Sequence, residues 1–283
     1  MSRLTIKSIA IIGRGKVGQS LTQLLGSLDY KVDNIGRDRS KQITAVANAD
    51  ITLICVDDGS IQGACEALAA SFKVGSVVGH CSGSLDSSIL KSAQRRGCLV
   101  ASCHPLNTFP SIDLSLRRFA TTDHGSYMYS EGDAEALSIL VDVFDHAGFT
   151  NTCIEREAKP LYHAACVFAC NYLTSVMHMS LETASEAGLE KQSFWLSLQP
   201  LIQATLENIG AKGTEGALSG PIARGDHSTV ESHMIALGQR SELLKASYAD
   251  LGITALEIAI KKGDLSNGDV ARLKLALHTS DIK

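Results

Sequence analysis

Ser8-Ile9-Ala10-Ile11-Ile12-Gly13-Arg14-Gly15-Lys16-Val17-Gly18 decides the fold of this chain. A short apolar run of β type feeds directly into Gly-x-Gly-x-x-Gly, and Gln19 to Leu28 then reads as a helix. In that setting Gly13 permits the tight turn, Gly15 lets a pyrophosphate approach the backbone, and Gly18 lets the helix pack closely on its strand. The unpaired N–H groups and the positive dipole end of the helix face the phosphates. A lone glycine-rich match reads equally well as a plain turn. Strand, turn and helix arriving in the required order make it a dinucleotide site. Expected cofactor contacts are Gly13, Arg14, Gly15, Lys16, Val17 and Gly18, with Val56 and Asp57 at the end of a later strand.

With 283 residues, 45% hydrophobic and 20% charged, the chain can bury a sizeable core and suits two domains, or else one large one. Net charge is −4 and the Lys and Arg residues are scattered, so a nucleic-acid partner is not expected. Eight cysteines form no Cys-x-x-Cys and several sit in apolar runs, which reads as reduced thiols in a cytoplasmic protein. His80-Cys81, Cys103-His104 and His163 with Cys166 pair suggestively, but they lack any zinc spacing, and no metal is expected. Pro160 to Leu181 carries no charged residue and is long enough to span a bilayer. Its scattered polar residues, among them Asn171, Thr174 and His178, read instead as a helix buried on nearly all sides, with no membrane.

From Lys31 onward short apolar strands alternate with helical segments. Strands are expected at Val32–Ile35, Ile51–Val56, Val77–His80, Leu99–Ser102, Tyr127–Ser130 and Thr152–Ile154, with helices between them. That alternation predicts an α/β fold: a Rossmann-like doubly wound parallel sheet over residues 1–154. Beyond Ile154 only helical periodicity continues, so residues 155–283 are expected to form an all-α second domain. Ser228-Thr229-Val230-Glu231 reads as a capping box within it.

Strand two ends near Ile35, where an NAD-specific fold offers Asp or Glu to the ribose. Here Gly36-Arg37-Asp38-Arg39-Ser40 follows. Glycine leaves space, and Arg37, Arg39 and Ser40 offer donors suited to a 2′-phosphate, favouring NADP. The alternative keeps the arginines in solvent and gives the ribose of NAD to Asp38.

Substrates in such folds sit beyond the carboxyl ends of the strands. Placed there are Asp57-Asp58, His80-Cys81-Ser82-Gly83 and Cys103-His104. Asp57 and Asp58 read as helix cappers, whereas His80 and His104 are expected to converge on the nicotinamide with Ser82 and Gly83 shaping the pocket. In Lys159-Pro160-Leu161-Tyr162-His163, proline at the first helical position makes Lys159 the cap. A cation there opposes the helix dipole, lowering its pKa and pointing to a proton donor rather than a stabilising residue. The plainer alternative is a flexible lysine at an interdomain corner. Arg224, in Gly220-Pro221-Ile222-Ala223-Arg224-Gly225-Asp226, would clamp a carboxylate, or else pair with Asp226 in a rigid turn.

These motifs, taken in order with Asn171, resemble a set of bacterial proteins that pair a Rossmann-like domain with a helical domain of unknown function. More distantly the chain is similar to pyrroline-5-carboxylate reductases, ketopantoate reductases and β-hydroxyacid dehydrogenases. The resemblance implies a second domain like the C-terminal domain of 6-phosphogluconate dehydrogenase, and a homodimer. In the β-hydroxyacid enzymes lysine, followed four residues later by asparagine, donates the proton. Lys159 matches that lysine, but His163 occupies the position of the asparagine that orients substrate, so either can be the donor, and Asn171, two turns further on, is a third catalytic candidate. The expected activity is NADP(H)-dependent reduction of a small carboxylate-bearing carbonyl or imine. The alternatives are an NADP-binding protein without catalysis and a ketopantoate-type reductase.

Overall fold

The structure, a computed structural model, describes residues 6–107 and 126–278. Ser8–Ile12 forms β1, and four of its five residues are buried. Its side chains alternate between two apolar layers. Ile9 and Ile11 pack on one face of the sheet, and Ala10 and Ile12 on the other. Helix α1 (Lys16–Gly26) follows, then β2 (Lys31–Ile35), α2 (Arg39–Asn48), β3 (Ile51–Ile54), α3 (Asp58–Leu68) and β4 (Val77–His80). A 3-10 turn (Ser87–Leu90) and α4 (Lys91–Arg95) lead to β5 (Leu99–Leu106), and β6 (Ser126–Gly132), α5 (Ala134–His146) and β7 (Phe149–Cys153) complete the sheet.

The seven strands lie in the order β2-β1-β3-β4-β5-β6-β7. β3 and β4 are buried along their whole length, as strands covered on both faces must be. Leu21 and Leu25 of α1 and Leu140 and Phe144 of α5 cover one face. Val46 of α2 and Ile61, Cys65 and Leu68 of α3 cover the other. Two neighbours of β1, reached in opposite directions, create a switch point between β1 and β3. Such a crevice is where open α/β sheets bind ligands. One expectation needs correction, because the sheet is not wholly parallel. β6 runs antiparallel to β5, with Ala101 opposite Gly132 and Leu106 opposite Tyr127, and β7 then runs parallel to β6.

The chain divides into two compact units, Met1–Phe168 and Ala169–Lys283. A 3-10 turn (Arg156–Ala158) and α6 (Lys159–Cys166) belong to the first. A π-helical segment (Val167–Tyr172) continues into α7 (Leu173–Glu186). The second unit is helical throughout its described residues and also contains α8 (Lys191–Ala217), a 3-10 turn (Ile222–Arg224), α9 (His227–Gly238), α10 (Glu242–Lys262) and α11 (Asn267–Leu277). Ile222, Val230, Met234, Leu256, Leu273 and Leu277 form its core.

Two local expectations in this region are overturned. Asp226, not Ser228, caps α9: its carboxylate accepts from the Thr229 N–H at 3.1 Å and the Thr229 hydroxyl at 2.7 Å. The capping box lies instead on α11, where Ser266 and Asp269 satisfy one another reciprocally. The uncharged run from Pro160 is likewise not buried. Leu161 is 78% exposed and Phe168 69%, and no residue of the most apolar window in Arg156–Glu186 is buried within the chain. By length and composition this is the one helix among the described residues that could cross a membrane, with a mean hydropathy of 1.3.

Candidate functional site

The turn between β1 and α1 is built by exclusion. Gly13 sits at φ 121°, and a Cβ there would run into the Cys55 carbonyl oxygen. A Cβ on Gly18 would strike the Gly13 carbonyl, whereas Gly15 faces open space. Asn34 on β2 ties the turn down, its Nδ2 donating to the carbonyls of Gly13 and Gly18, both at 3.2 Å. α1 has no side-chain cap and no acidic residue in its first turn, so its leading N–H groups stay open to an anion.

A cavity of about 720 Å³ opens above this turn. Eight of the expected cofactor residues line it, namely Gly13, Arg14, Gly15, Lys16, Val17, Arg37, Val56 and Asp57. Gly18 packs beneath the cavity, while Arg39 and Ser40 stand outside its lining. Arg39 Nη1 donates to Gln42 Oε1 at 3.2 Å, and Gln42 Nε2 in turn donates to the Gly36 carbonyl at 2.7 Å. Arg14 lines the cavity and extends toward the end of β2. Its guanidinium reaches across to the Asn34 carbonyl at 3.1 Å and lies against Gly36, where a Cβ would come within 3.4 Å of its Cδ. Asp38 is committed elsewhere. It caps α2 by accepting from the Lys41 N–H at 3.1 Å, and that hydrogen bond holds its carboxyl below the usual range. Arginines therefore line the end of β2, and the only carboxylate in the Gly36–Ser40 segment is occupied.

At the ends of β4 and β5 the side chains lock together. Asp58, read as a helix capper, instead accepts from the hydroxyls of Ser82 at 2.8 Å and Ser84 at 2.9 Å. His80 is fully buried, with Nε2 3.1 Å from the Asp86 carbonyl and Nδ1 accepting from the Ser82 N–H at 3.2 Å. Since a carbonyl only accepts, Nε2 carries the proton. Burial pushes the pKa of His80 down to about 4. Its ring is used up in holding the loop and does not converge with His104, contrary to expectation.

The group that does converge is His104, Tyr162 and His163, gathered over Gly83. His104 Nδ1 lies 2.7 Å from the Tyr162 hydroxyl, and the His104 and His163 rings meet edge-on with centroids 6.1 Å apart. A Cβ on Gly83 would come within 2.5 Å of His163 Nδ1 and 3.1 Å of the His104 ring, so only glycine fits beneath both imidazoles. His163 Nδ1 is buried and has no hydrogen-bond partner among the described residues. Burial lowers the pKa of His104 to about 4, helped by Lys159 and His163, and burial raises that of the Tyr162 hydroxyl.

Lys159 lies just behind this group. It is not a cap, because the backbone is already helical from Arg156 and Lys159 enters the first turn of α6. Its side chain is fully buried, and Nζ donates to the Ser82 carbonyl at 2.8 Å and to the Ser102 hydroxyl at 2.7 Å. Its pKa is lowered as expected, but the cause is burial rather than the helix dipole, and attraction to Glu131 opposes the shift. Glu131 is itself buried, accepting from the Ser87 N–H at 2.6 Å and the Ser87 hydroxyl at 2.8 Å.

The structure thus brings Ser82, Gly83, His104, Lys159 and His163 together within the first unit. Asn171, exposed in the π-helical segment, and Arg224, exposed beside the α9 cap, belong to the second. Sequence reasoning gave no role to Tyr162, although it adjoins His163, and it overlooked Ser102, Glu131 and the anchoring by Asp58. Glu131 carries no local signal, since only the β5–β6 pairing sets it opposite Ser102.

Fold and cleft together define a Rossmann-type α/β unit followed by a helical one. Residues 2–105 match the model of a Rossmann-like domain and residues 126–254 match a domain of unknown function, DUF2520. The chain therefore pairs a Rossmann-like domain with a DUF2520 domain, as the resemblance implied. Among solved structures it is similar to a Thermotoga maritima protein, with 22% identity, a TM-score of 0.70, and coverage of 90% of this chain and 99% of that one. It is also similar to a reductive aminase from Aspergillus terreus in complex with NADPH and ethyl levulinate, at 15% identity and a TM-score of 0.58 over 96% and 93% of the two chains. An imine reductase from Pseudomonas sp. aligns at 16% identity and a TM-score of 0.61 over 97% and 100%. At these identities the likeness is one of fold. No curated protein matches the sequence.

The two depressed histidines set an acid limit on stability. Each is neutral in the folded chain down to about pH 4 and ordinarily titrates near 6.5, so acid favours the unfolded state between those values. Stability from this source is complete above about pH 6.5 and lost as pH falls toward 4. For His80 the loss is roughly 3 kcal/mol. Urea denaturation across that interval should show the decline, and His80→Gln should flatten it. NMR should show neither ring protonating above about pH 5.

Proposed function

We propose that this chain is an NADP(H)-dependent oxidoreductase acting on a small carbonyl or imine compound. The observation that carries this reading is the lining at the end of β2. Arg14 and Arg37 flank Gly36 while Asp38 is tied to α2, leaving donors for a 2′-phosphate and no free carboxylate in that segment for a ribose hydroxyl. The Aspergillus terreus reductive aminase described with NADPH and the Pseudomonas imine reductase share the fold and lend support.

When bound, the nucleotide supplies a hydride. The first-turn amides of α1 would hold its diphosphate, with Gly15 leaving room for close approach. His163, whose Nδ1 lies unpartnered over Gly83, hands a proton to the substrate oxygen or nitrogen. Tyr162 orients the His104 ring beside it, and Lys159 is a positioning residue that ties Ser82 to Ser102. Asp57 and Asp58 are exposed at this end of the cleft while Lys159 is committed, so the unit suits an uncharged or cationic substrate. A carboxylate clamped by Arg224 is not part of this reading.

Complete burial of Lys159 favours a second reading, a protein that binds NADP without turning it over. Calorimetry and turnover separate the two. NADP+ should bind more tightly than NAD+. Arg37→Ala should weaken NADP+ about tenfold or more and leave NAD+ unchanged. Absence of binding by either coenzyme sinks both readings. With binding intact, NADPH oxidation across a panel of aldehydes, ketones and cyclic imines identifies an enzyme. In that enzyme His163→Gln should lower kcat by about 100-fold without changing NADP+ affinity.

The exposed apolar side chains Leu161 and Phe168 at the end of the first unit support a further proposal, that a second copy of the chain covers this face. Light scattering should then give twice the 30.1 kDa chain mass, and Phe168→Glu should halve it.

A further inference from the structure

We propose that Cys81 and Cys55 form an oxidisable dithiol in the floor of the nucleotide cleft, which hydrogen peroxide converts to a disulfide and which a bound dinucleotide shields. The shielding rests on the nucleotide reading above; the disulfide does not.

The geometry comes from the sheet. β3 and β4 pair in parallel register up to Ile54 opposite His80, so the next residues, Cys55 and Cys81, leave the sheet side by side. Their side chains join the same apolar layer, and the Cys55 thiol donates to Cys81 Sγ at 3.6 Å. Neighbouring strand positions lie roughly 5 Å apart between Cα atoms, inside the range that a disulfide bridges without backbone movement.

The two thiols differ in what reaches them. Cys55 is buried under the Gly13–Gly18 turn, and its thiol is pushed well up by Cys81 and by burial, so it stays protonated. Cys81 is partly exposed, and both cysteines line the cavity assigned to the nucleotide. Peroxide therefore meets Cys81 first. Cys81 loses its thiol proton and the thiolate attacks one peroxide oxygen; the O–O bond breaks, and the departing hydroxide takes up that proton, leaving sulfenic acid and water. Cys55 sulfur then attacks that sulfenic sulfur, the S–S bond forms as the S–O bond breaks, and the departing hydroxide takes the Cys55 proton to leave as water. Overall two thiols lose two electrons and one peroxide becomes two waters. A dithiol reductant reverses the change.

Closing this bond acts on the site at two points. The Cys55 carbonyl abuts Gly13 and its Cβ lies 3.4 Å from where a Gly18 Cβ would be, so a pull on Cys55 shifts the floor of the phosphate turn. Cys81 immediately precedes Ser82, whose carbonyl receives Lys159. A third cysteine, Cys103, shares the layer but is buried and its thiol is strongly raised by burial, so it is not the expected partner.

The test uses the full chain exposed to hydrogen peroxide, alkylated, digested and mapped by mass spectrometry, with calorimetry of NADP+ binding run alongside. A Cys55–Cys81 cross-link reversed by dithiothreitol is expected, and Cys103→Ser should retain it. In Cys55→Ser, dimedone should trap a sulfenic acid at Cys81, and Cys81→Ser should give neither product. NADP+ at ten times its Kd should slow cross-linking about tenfold. A Cys81–Cys103 link, or no link while Cys81 oxidises, overturns the dithiol. An unchanged rate with NADP+ shown to be bound overturns the shielding. If NADP+ does not bind, the nucleotide reading and the shielding both fail, and the cross-link alone decides the dithiol.

Discussion

A buried ammonium group organises the first unit. Lys159 Nζ, wholly removed from water, donates to a carbonyl in the β4 loop and to a hydroxyl on β5. Burying a cation costs several kcal/mol, and only good hydrogen bonds with a nearby opposite charge offset it. Attraction to Glu131, which the antiparallel pairing of β5 and β6 sets nearby and which lies 3.6 Å from Arg156, favours the charged form. Satisfying that one group fixes the loop after β4, the end of β5 and the first turn of α6. It also accounts for α6 belonging with the sheet rather than with the helices that follow.

That constraint sets the chemistry available beside it. With Lys159 held, Tyr162 and His163 on the next residues of α6 meet His104 across Gly83. Lys159 Nζ is thereby bonded to Ser82 and Ser102, while the His104 and His163 imidazoles meet edge-on over Gly83. The two candidate histidines also part company. His80 has both nitrogens occupied within its loop, whereas His104 has one bonded to a side chain that itself belongs to the site.

The nucleotide-type end of the cleft depends on a different device, the absence of side chains. Gly13 and Gly18 are required because other backbone already occupies the volume a Cβ would need, whereas Gly15 faces open space. Asn34 converts that geometry into a fixed turn by holding two of its carbonyls. Arg14, drawn across to the end of β2, places a cation where the Gly36–Ser40 segment alone pointed only to Arg37, Arg39 and Ser40.

The residues alone determined the turn, its strand and helix, and the alternation that builds a doubly wound sheet, because each follows from local periodicity and from glycine's missing side chain. The preference for arginine over carboxylate at the end of β2 was legible for the same reason. Periodicity carries no strand direction, so the reversal at β6 was out of reach, and with it the placement of Glu131 opposite Ser102. Nor does a polarity pattern say what covers a helix. The uncharged run from Pro160 read as buried, yet Leu161 and Phe168 face outward from the chain. Only the tertiary structure could separate His80 from His104, or make Lys159 an anchor. Those roles depend on distances between residues far apart in the chain, which burial and hydrogen bonding set together.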